Sequence, residues 1–375
     1  MRAAVLSYRF PWPGYTGDRL RAAIWIEALA AVAEVSLIAP AGRVPAGSGA
    51  SHIVVPARAG SAAAAVSRAA ITSLPWHTVV AGRYDWKETL SRAGHFDLAV
   101  VILSRLHPWV SESLRATLRV LDAIDSSSRG MAERARAGGL MTRRFWSSEA
   151  EKALRLERDL HAWYDRLVVV SELESSIFGA ETAVVSSGAI VDVEYSGQRD
   201  FDFGFWGRLA YFANSKAVKM LLDEVWPAIR SARPAARLLI AGADAPRAIL
   251  RRDGRNGITV VSPMNGQSLV RRVRVALFPV RFGTGQANKV LEAAASGCAI
   301  IASPEMLRAV PAMQSVAWSA ASSPEMAAKA VALIDDPETA REMAVRLREI
   351  VRVHYSREQT LDQLRALAGF ETVRR

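Results

Sequence analysis

The chain has 375 residues, half of them hydrophobic, with 48 Lys and Arg against 37 Asp and Glu and a formal net charge of +11. That length predicts two domains with cores of their own, and the composition is that of a globular enzyme, which sets aside disordered and fibrous classes. The single cysteine, Cys298, excludes an internal disulfide framework and points to a reducing compartment.

No run approaches the ~20 apolar residues that a membrane span needs. The opening MRAAVLSYRFPWP reads as a first strand rather than a signal peptide, so the cytoplasm is the expected location. The positive charge leaves nucleic acid, an anionic membrane face or phosphorylated substrates as partners. Dispersed arginines and the lack of a zinc-finger or RNP-like motif argue against nucleic acid.

In chain order, residues 2–8 form an apolar strand, followed by a Pro- and Gly-rich loop, RFPWPGYTG, over 9–17. Asp18 is placed to cap a helix running to about Ala33, and 35–39 is the next strand. Strand, loop, helix, strand begins a Rossmann-like half, without a GxGxxG. Residues 41–75 are rich in Ala, Gly, Ser and Pro, with one strand over 52–56, and Trp76 and Trp86 read as local core.

Residues 96–103 and 119–124 are buried strands, the second ending at Asp125. A carboxylate there lies at the C-terminal edge of a parallel sheet, where open α/β proteins bind ligands; the alternative is that Asp125 caps the following helix. His107, after the previous strand, is the alternative polar group, though it reads rather as a surface or loop histidine. The charged stretch 131–164 is helical, and Arg143, Arg144, Phe145 and Trp146 within it read either as an interfacial face or as a solvated one. Strands at 166–171 and 182–187 close the first half, and the polar stretch 188–201 is the linker. Asp200-Phe201-Asp202 has the form of a DxD metal motif, but it stands at a linker and a strand start, so no metal site is assigned.

The second half repeats the alternation, with strands at 203–207, 237–242, 258–262 and 275–280, and helices over 322–336, 337–353 and from a cap at Ser356 to about Leu367. Its most telling stretch is RFGTGQANKVLEAAASGCAIIASP, over 281–304. A glycine loop containing Gly283 and Gly285 leads into a helix over 286–296, Gly297 ends it, and 299–302 is a buried strand. Unpaired N–H groups and the dipole at such a helix start suit an anion. Lys289 and Glu292, three residues apart, share a helix face. A cation and a carboxylate there match a nucleotide diphosphate and a ribose diol; the plainer reading is an ordinary βα loop with a surface ion pair. Cys298 reads as a buried, inert thiol.

This stretch resembles the donor-binding segment of the retaining family 4 glycosyltransferases, G-x-x-x-K-x-x-E-A-x-A-x-G-x-x-x-x-x-S, carried here by Gly285, Lys289, Glu292, Ala293, Ala295, Gly297 and Ser303. Its GQANKVLEA, including Asn288, is similar to the G-x-Q-N-K-V-L-E-A of the sugar-transferase subgroup of bacterial exopolysaccharide loci. The loop Pro11, Pro13, Gly17, Asp18, Arg19, Arg21, the pair Asp122 and Asp125, and Tyr211 with Asn214 resemble the same subgroup. The chain departs from the wider family at Thr284, where a donor-contacting glutamate is usual, at Ser187, where asparagine is usual, and at Ala213, where a lysine is usual.

The resemblance implies a GT-B fold, two Rossmann-like domains facing across a cleft. Residues 1–190 would form the acceptor domain and 200–355 the nucleotide-sugar domain, and a helix over 356–375 would return to the first. It implies sugar transfer with retention of configuration to a saccharide, lipid-linked or small-molecule acceptor, in polysaccharide or glycoconjugate synthesis, with no cofactor and no metal. Arg208, Lys216, Gly283, Gly285, Asn288, Lys289 and Glu292 would bind the donor, Glu292 through the ribose and the cations through the diphosphate. Gly17, Asp18 and Arg19 would face the acceptor, and Asp125, with Asp122, would be catalytic. A non-catalytic partner of the same fold, or a nucleotide-sugar epimerase, are the alternatives.

Overall fold

In a computed structural model, the described residues are 1–13, 16–58, 72–191, 199–263, 268–282 and 287–370. They form two units, Met1–Ser187 with Glu358–Arg375, and Gly188–Arg357.

The first unit holds a seven-stranded parallel sheet made of β1 (Arg2–Leu6), β2 (Glu34–Ala39), β3 (Ala50–Val54), β4 (His95–Ile102), β5 (Arg115–Ile124), β6 (Arg166–Val169) and β7 (Ala183–Val184). Its order is β3-β2-β1-β4-β5-β6-β7, so the chain reverses direction between β1 and β4. Such a reversal opens a crevice at the carboxyl ends of the strands. The central strands are continuous apolar runs, as a sheet covered on both faces requires: Ala3 to Leu6 and Leu98 to Ile102 are all buried. The C-terminal helix, Arg357–Leu367, joins this core through Leu364, and Arg365 Nε donates to Ala28 O at 2.9 Å.

The second unit repeats the plan with β8 (Phe201–Trp206), β9 (Leu238–Ala241), β10 (Ile258–Val261), β11 (Val273–Phe278), β12 (Ala299–Ala302) and β13 (Trp318–Ser319), in the order β10-β9-β8-β11-β12-β13. The reversal falls between β8 and β11. Gly297 takes the left-handed conformation, with φ +71°, directly after the helix Asn288–Ala295, which is how a glycine ends a helix.

Several expectations are corrected at the elements' ends. The first helix spans Gly17–Ala30 and Asp18 is not its cap; Thr16 precedes it and donates to Asp18 Oδ1 at 2.7 Å. The charged stretch is two helices, Ser127–Ala137 and Leu140–Arg158, broken at Gly138 and Gly139. The strand at 182–187 shrinks to Ala183–Val184. His107 is not a surface residue. It is buried with its ring edge-on to Trp163 and Tyr164, within hydrogen-bond reach of the Tyr164 hydroxyl, and burial lowers its pKa to about 4.

Candidate functional site

At the reversal in the second unit, β8 ends on Trp206 and passes into Gly207. Gly207 has φ +142°, and a Cβ there would lie 2.9 Å from Asn214 Nδ2 and 3.3 Å from Lys289 Nζ. A glycine is therefore required both by the backbone angle and by the side chains that close over it. Lys289 reaches in from the first turn of the Asn288–Ala295 helix and donates to Asn214 Oδ1 at 2.5 Å. Its ammonium lies 4.6 Å from the centre of the Phe205 ring and 5.9 Å from that of Phe278. These aromatic faces accommodate a cation, but removal from water dominates: burial lowers the Lys289 pKa to about 7, against the pull of Glu292.

Glu292, one turn on, accepts a hydrogen bond from Trp206 Nε1 at 3.1 Å. Burial raises its pKa, with the Trp206 hydrogen bond and Lys289 opposing. A lysine poised near neutrality beside a fixed carboxylate is the arrangement that desolvation and one specific partner produce at functional sites. Asn288 places a buried Oδ1 at the same helix start, with no hydrogen-bond partner among the described residues.

The other expected donor residues are placed less uniformly. Arg208 lies at the end of β8, half-exposed, with Nε donating to Asp244 Oδ2 at 2.7 Å. Lys216 sits over the rings of Phe212 and Phe282 at 4.8 and 5.1 Å, which brings it beside the residue that precedes the glycine loop. Gly283, Thr284 and Gly285 lie outside the described residues. Ser303 caps the helix Pro304–Arg308 and donates to Val280 O at 2.5 Å, fixing the turn after β12 to the loop after β11. The aspartates of the DxD-like triplet are at the other end of β8: Asp200 pairs with Arg272, and Asp202 pairs with Arg274 and accepts from Arg237 N at 2.9 Å.

In the first unit, Asp122 and Asp125 part company. Asp122 is fully buried. Its Oδ2 accepts from Arg21 Nε at 2.5 Å and Trp25 Nε1 at 2.6 Å, and its Oδ1 from Ile124 N at 3.1 Å. Arg21 also donates to Ser186 O at 2.8 Å. This carboxylate ties the first helix to β5 and the end of the unit, and its side chain is used up in doing so. Three residues on, Asp125 is partly buried, and no hydrogen bond from another described residue reaches its carboxylate. Burial raises its pKa, Asp18 adds to the rise, and Arg105 and Arg134 oppose it.

Asp125 does not cap the following helix, which corrects that alternative. Ser126 is the cap, accepting from Arg129 N, and the remaining amides at the helix start go to two buried glutamates. Glu157 accepts from Ser127 N at 2.7 Å, and Glu174 from Ser126 N at 2.7 Å. With the helix start satisfied by others, the Asp125 carboxylate is left for something else. The backbone that delivers it is strained: Ile124 has φ +63° and Leu103, at the end of the adjacent β4, φ +74°. Such conformations in non-glycine residues cost about 1–3 kcal/mol each and gather at functional sites.

The same edge collects residues that the sequence did not single out. His77, 6% exposed, has both ring nitrogens without a hydrogen-bond partner among the described residues, and burial holds its pKa well below the usual value, with Arg105 and Arg134 adding to the effect. Arg105 donates to the Tyr8 hydroxyl at 3.1 Å while no described residue bonds its Nε. Asp18 is paired with Arg9 at 3.4 Å, Arg19 has a buried Nε that no described residue bonds, and Gly17 is the exposed first residue of its helix. His77, Arg105 and Arg134 come from three separate segments, so no local spacing marks them. Of the three only Arg105 carries a positional sign, since it lies just beyond the end of β4.

Cys298 is buried, its Sγ donates to Val273 O at 3.3 Å, and burial pushes its pKa up to about 11, which makes it inert. Among the described residues no group of three potential metal ligands occurs, and no helix is long and apolar enough to cross a membrane.

Residues 200–336 match the family model described as Glycosyl transferases group 1. Among curated proteins none matches the sequence. Solved structures do match over nearly the whole chain. Sucrose-phosphate synthase from Thermosynechococcus elongatus superposes with a TM-score of 0.73 at 16% identity, covering 98% of each chain. HepE of Anabaena, in complex with UDP and glucose, gives 0.66 at 13%, covering 98% of this chain and 99% of its own. WaaG, a glycosyltransferase involved in lipopolysaccharide biosynthesis, gives 0.66 at 16%, covering 96% and 99%. At such identities the likeness is one of fold, the two Rossmann-like parallel-sheet domains of GT-B structures.

Proposed function

We propose that the protein transfers a sugar from a nucleotide sugar to an acceptor hydroxyl, with retention of configuration. The observation that carries this reading is Lys289 closing over Gly207, with Glu292 held by Trp206, at the reversal of the second sheet, inside the stretch that matches the glycosyl transferases group 1 model. A Rossmann-like sheet binds its ligand at that point. Glu292 accepts the ribose hydroxyls. Lys289, with Arg208, Lys216 and the amides ahead of Asn288, offsets the charge that builds on the departing diphosphate. With three cations in reach of that role, no metal ion is invoked. Retention rests on the resemblance of the stretch 285–303 to the retaining family. UDP is the first nucleotide to try, because HepE was solved with it.

The first unit binds the acceptor. Asp125, raised in pKa and spared from capping, orients the acceptor hydroxyl and takes its proton; Asp122 positions the strand end that carries it. Incubation with a panel of nucleotide sugars, with and without saccharide acceptors, tests the reading. Release of nucleoside diphosphate that depends on Glu292 supports it. Conversion of the donor sugar to its epimer, or binding with no turnover in any combination, would replace it with one of the other two GT-B activities.

A lipid-linked acceptor finds support at the start of the Leu140–Arg158 helix. Leu140, Met141 and Phe145 are 72%, 82% and 51% exposed beside the exposed Arg143 and Arg144, a composition suited to an anionic interface. Trp146 is not part of that face: it is partly buried under Arg134, whose guanidinium is 4.8 Å from its ring centre. Each basic residue near such a surface contributes about 1 kcal/mol. Flotation at low salt should recover more protein with anionic than with neutral liposomes, and equal recovery would remove the membrane contact.

A further inference from the structure

The second unit carries a cavity of about 480 Å³ at the opposite edge of its sheet from the Lys289 site. Arg199 stands two residues before β8, Arg274 is the second residue of β11, and Gly297 stands two residues before β12. All three line the cavity, so it opens at the N-terminal ends of these parallel strands. Trp206, Gly207 and Phe278 lie at their C-terminal ends. The donor reading makes no use of this space.

Five arginines line it, Arg199, Arg271, Arg274, Arg341 and Arg348, and no carboxylate does so among the described residues. Arg199 is anchored, donating to Val273 O and Ser296 O. Arg274 is 3.5 Å from Asp202, and Arg341 is 4.0 Å from Glu338 with both side chains more than two-thirds exposed. An ion pair as exposed as that of Arg341 with Glu338 holds a side chain weakly, so this guanidinium can turn toward a ligand. The floor is apolar: Val275 and Ala344 are buried there, while Ile190 and Val345 are 54% and 59% exposed. Five guanidinia lining one space, with no carboxylate among the described lining residues, favour an anion there. A guanidinium fork matches the geometry of phosphate oxygens. The volume falls within the ~300–1,000 Å³ of small-molecule sites.

We propose that this pocket binds a phosphate ester with an apolar portion, the phosphate among the arginines and the apolar part over Val275, Ala344 and Val345. The ligand is either the head group of a membrane phospholipid or a soluble phosphate ester. The test uses the whole chain and three probes: dihexanoyl phosphatidic acid below its micelle concentration, glycerol 3-phosphate, and liposomes containing long-chain phosphatidic acid. Calorimetry should show the short-chain lipid binding at one site, with glycerol 3-phosphate at least ~10-fold weaker because it leaves the apolar floor uncovered. Arg341→Gln with Arg348→Gln, and separately Val345→Asp, should each weaken lipid binding at least ~10-fold while the unfolding midpoint without ligand stays within a few degrees.

Liposome binding that the pocket variants weaken identifies a membrane head group as the source; liposome binding that they leave unchanged, beside short-chain binding that they weaken, identifies a soluble ester. Absence of saturable short-chain binding, equal affinity for glycerol 3-phosphate, or short-chain lipid binding that survives both variants would overturn the proposal. None of these readouts involves nucleotide or sugar, so they stand apart from the outcome at the Lys289 site.

Discussion

The two sheets end in the same way and are finished differently. In the second unit the polar groups at the strand ends, the Oδ1 of Asn288 apart, are paired: Lys289 with Asn214, Glu292 with Trp206, Arg208 with Asp244. In the first unit the comparable edge keeps groups unspent, both nitrogens of His77, Nε of Arg105 and the carboxylate of Asp125. A buried polar group left unpaired costs about 1–3 kcal/mol. The first arrangement is preorganised, with side chains held before a ligand arrives. The second gives up stability at an edge whose groups, on the proposed function, are left for the acceptor to pair.

The sharpest way to break this comparison is Asp125→Asn. The side chain keeps its shape, and Ser126, Glu157 and Glu174 continue to serve the helix start, so stability should change little. Transfer should fall about 100- to 10,000-fold, as for a positioned proton acceptor, with nucleotide affinity unchanged. Parent activity in this variant would make Asp125 a bystander and move attention to His77.

Asp122→Ala sharpens the contrast from the other side. It removes one partner of a fully buried ion pair and leaves Arg21 uncompensated, which should cost about 3–5 kcal/mol of stability in denaturant unfolding. A loss below about 1 kcal/mol would show that Asp122 is not the strut described.

A smaller effect concerns pH. The Lys289 pKa of about 7 means that this lysine is largely uncharged at alkaline pH in the free site, while a diphosphate favours the ammonium. Nucleoside diphosphate affinity should therefore fall about tenfold per pH unit above pH 7, as binding takes up one proton. Lys289→Gln should lose that slope. For the ligand-free fold the sign is opposite. The unfolded chain holds this proton up to the ordinary lysine pKa of 10.5 and the folded chain releases it near 7, so this group adds stability as pH rises through that window. An affinity that is flat from pH 7 to 9 would contradict the proton linkage.

How much of this was legible depends on distance along the chain. Gly297, Lys289 and Glu292 are set by one helix, so 3.6-residue spacing and the chemistry of a helix end placed them correctly. The strands were legible as apolar runs, and the C-terminal helix joins the first unit's core through Leu364. What sequence spacing could not supply was which polar group meets which. Asp122 and Asp125 look equivalent in LDAID, but the left-handed turn at Ile124 and the arrival of Arg21 and Trp25 bury one and spare the other. His107 looked exposed because Trp163 and Tyr164, which cover it, come from another segment. His77, Arg105 and Arg134 assemble only when the sheet does.

The central claim, that the closed site of the second unit holds a nucleoside diphosphate through Glu292, is tested most directly by calorimetric titration of UDP and other nucleoside diphosphates into the parent and Glu292→Gln. The exchange removes a charged acceptor of ribose hydroxyls, and hydrogen bonds to a charged group contribute about 1.5–3 kcal/mol. One-site binding should weaken ten- to a hundredfold, with the ligand-free unfolding midpoint unchanged; equal affinity in the two proteins would contradict the assignment.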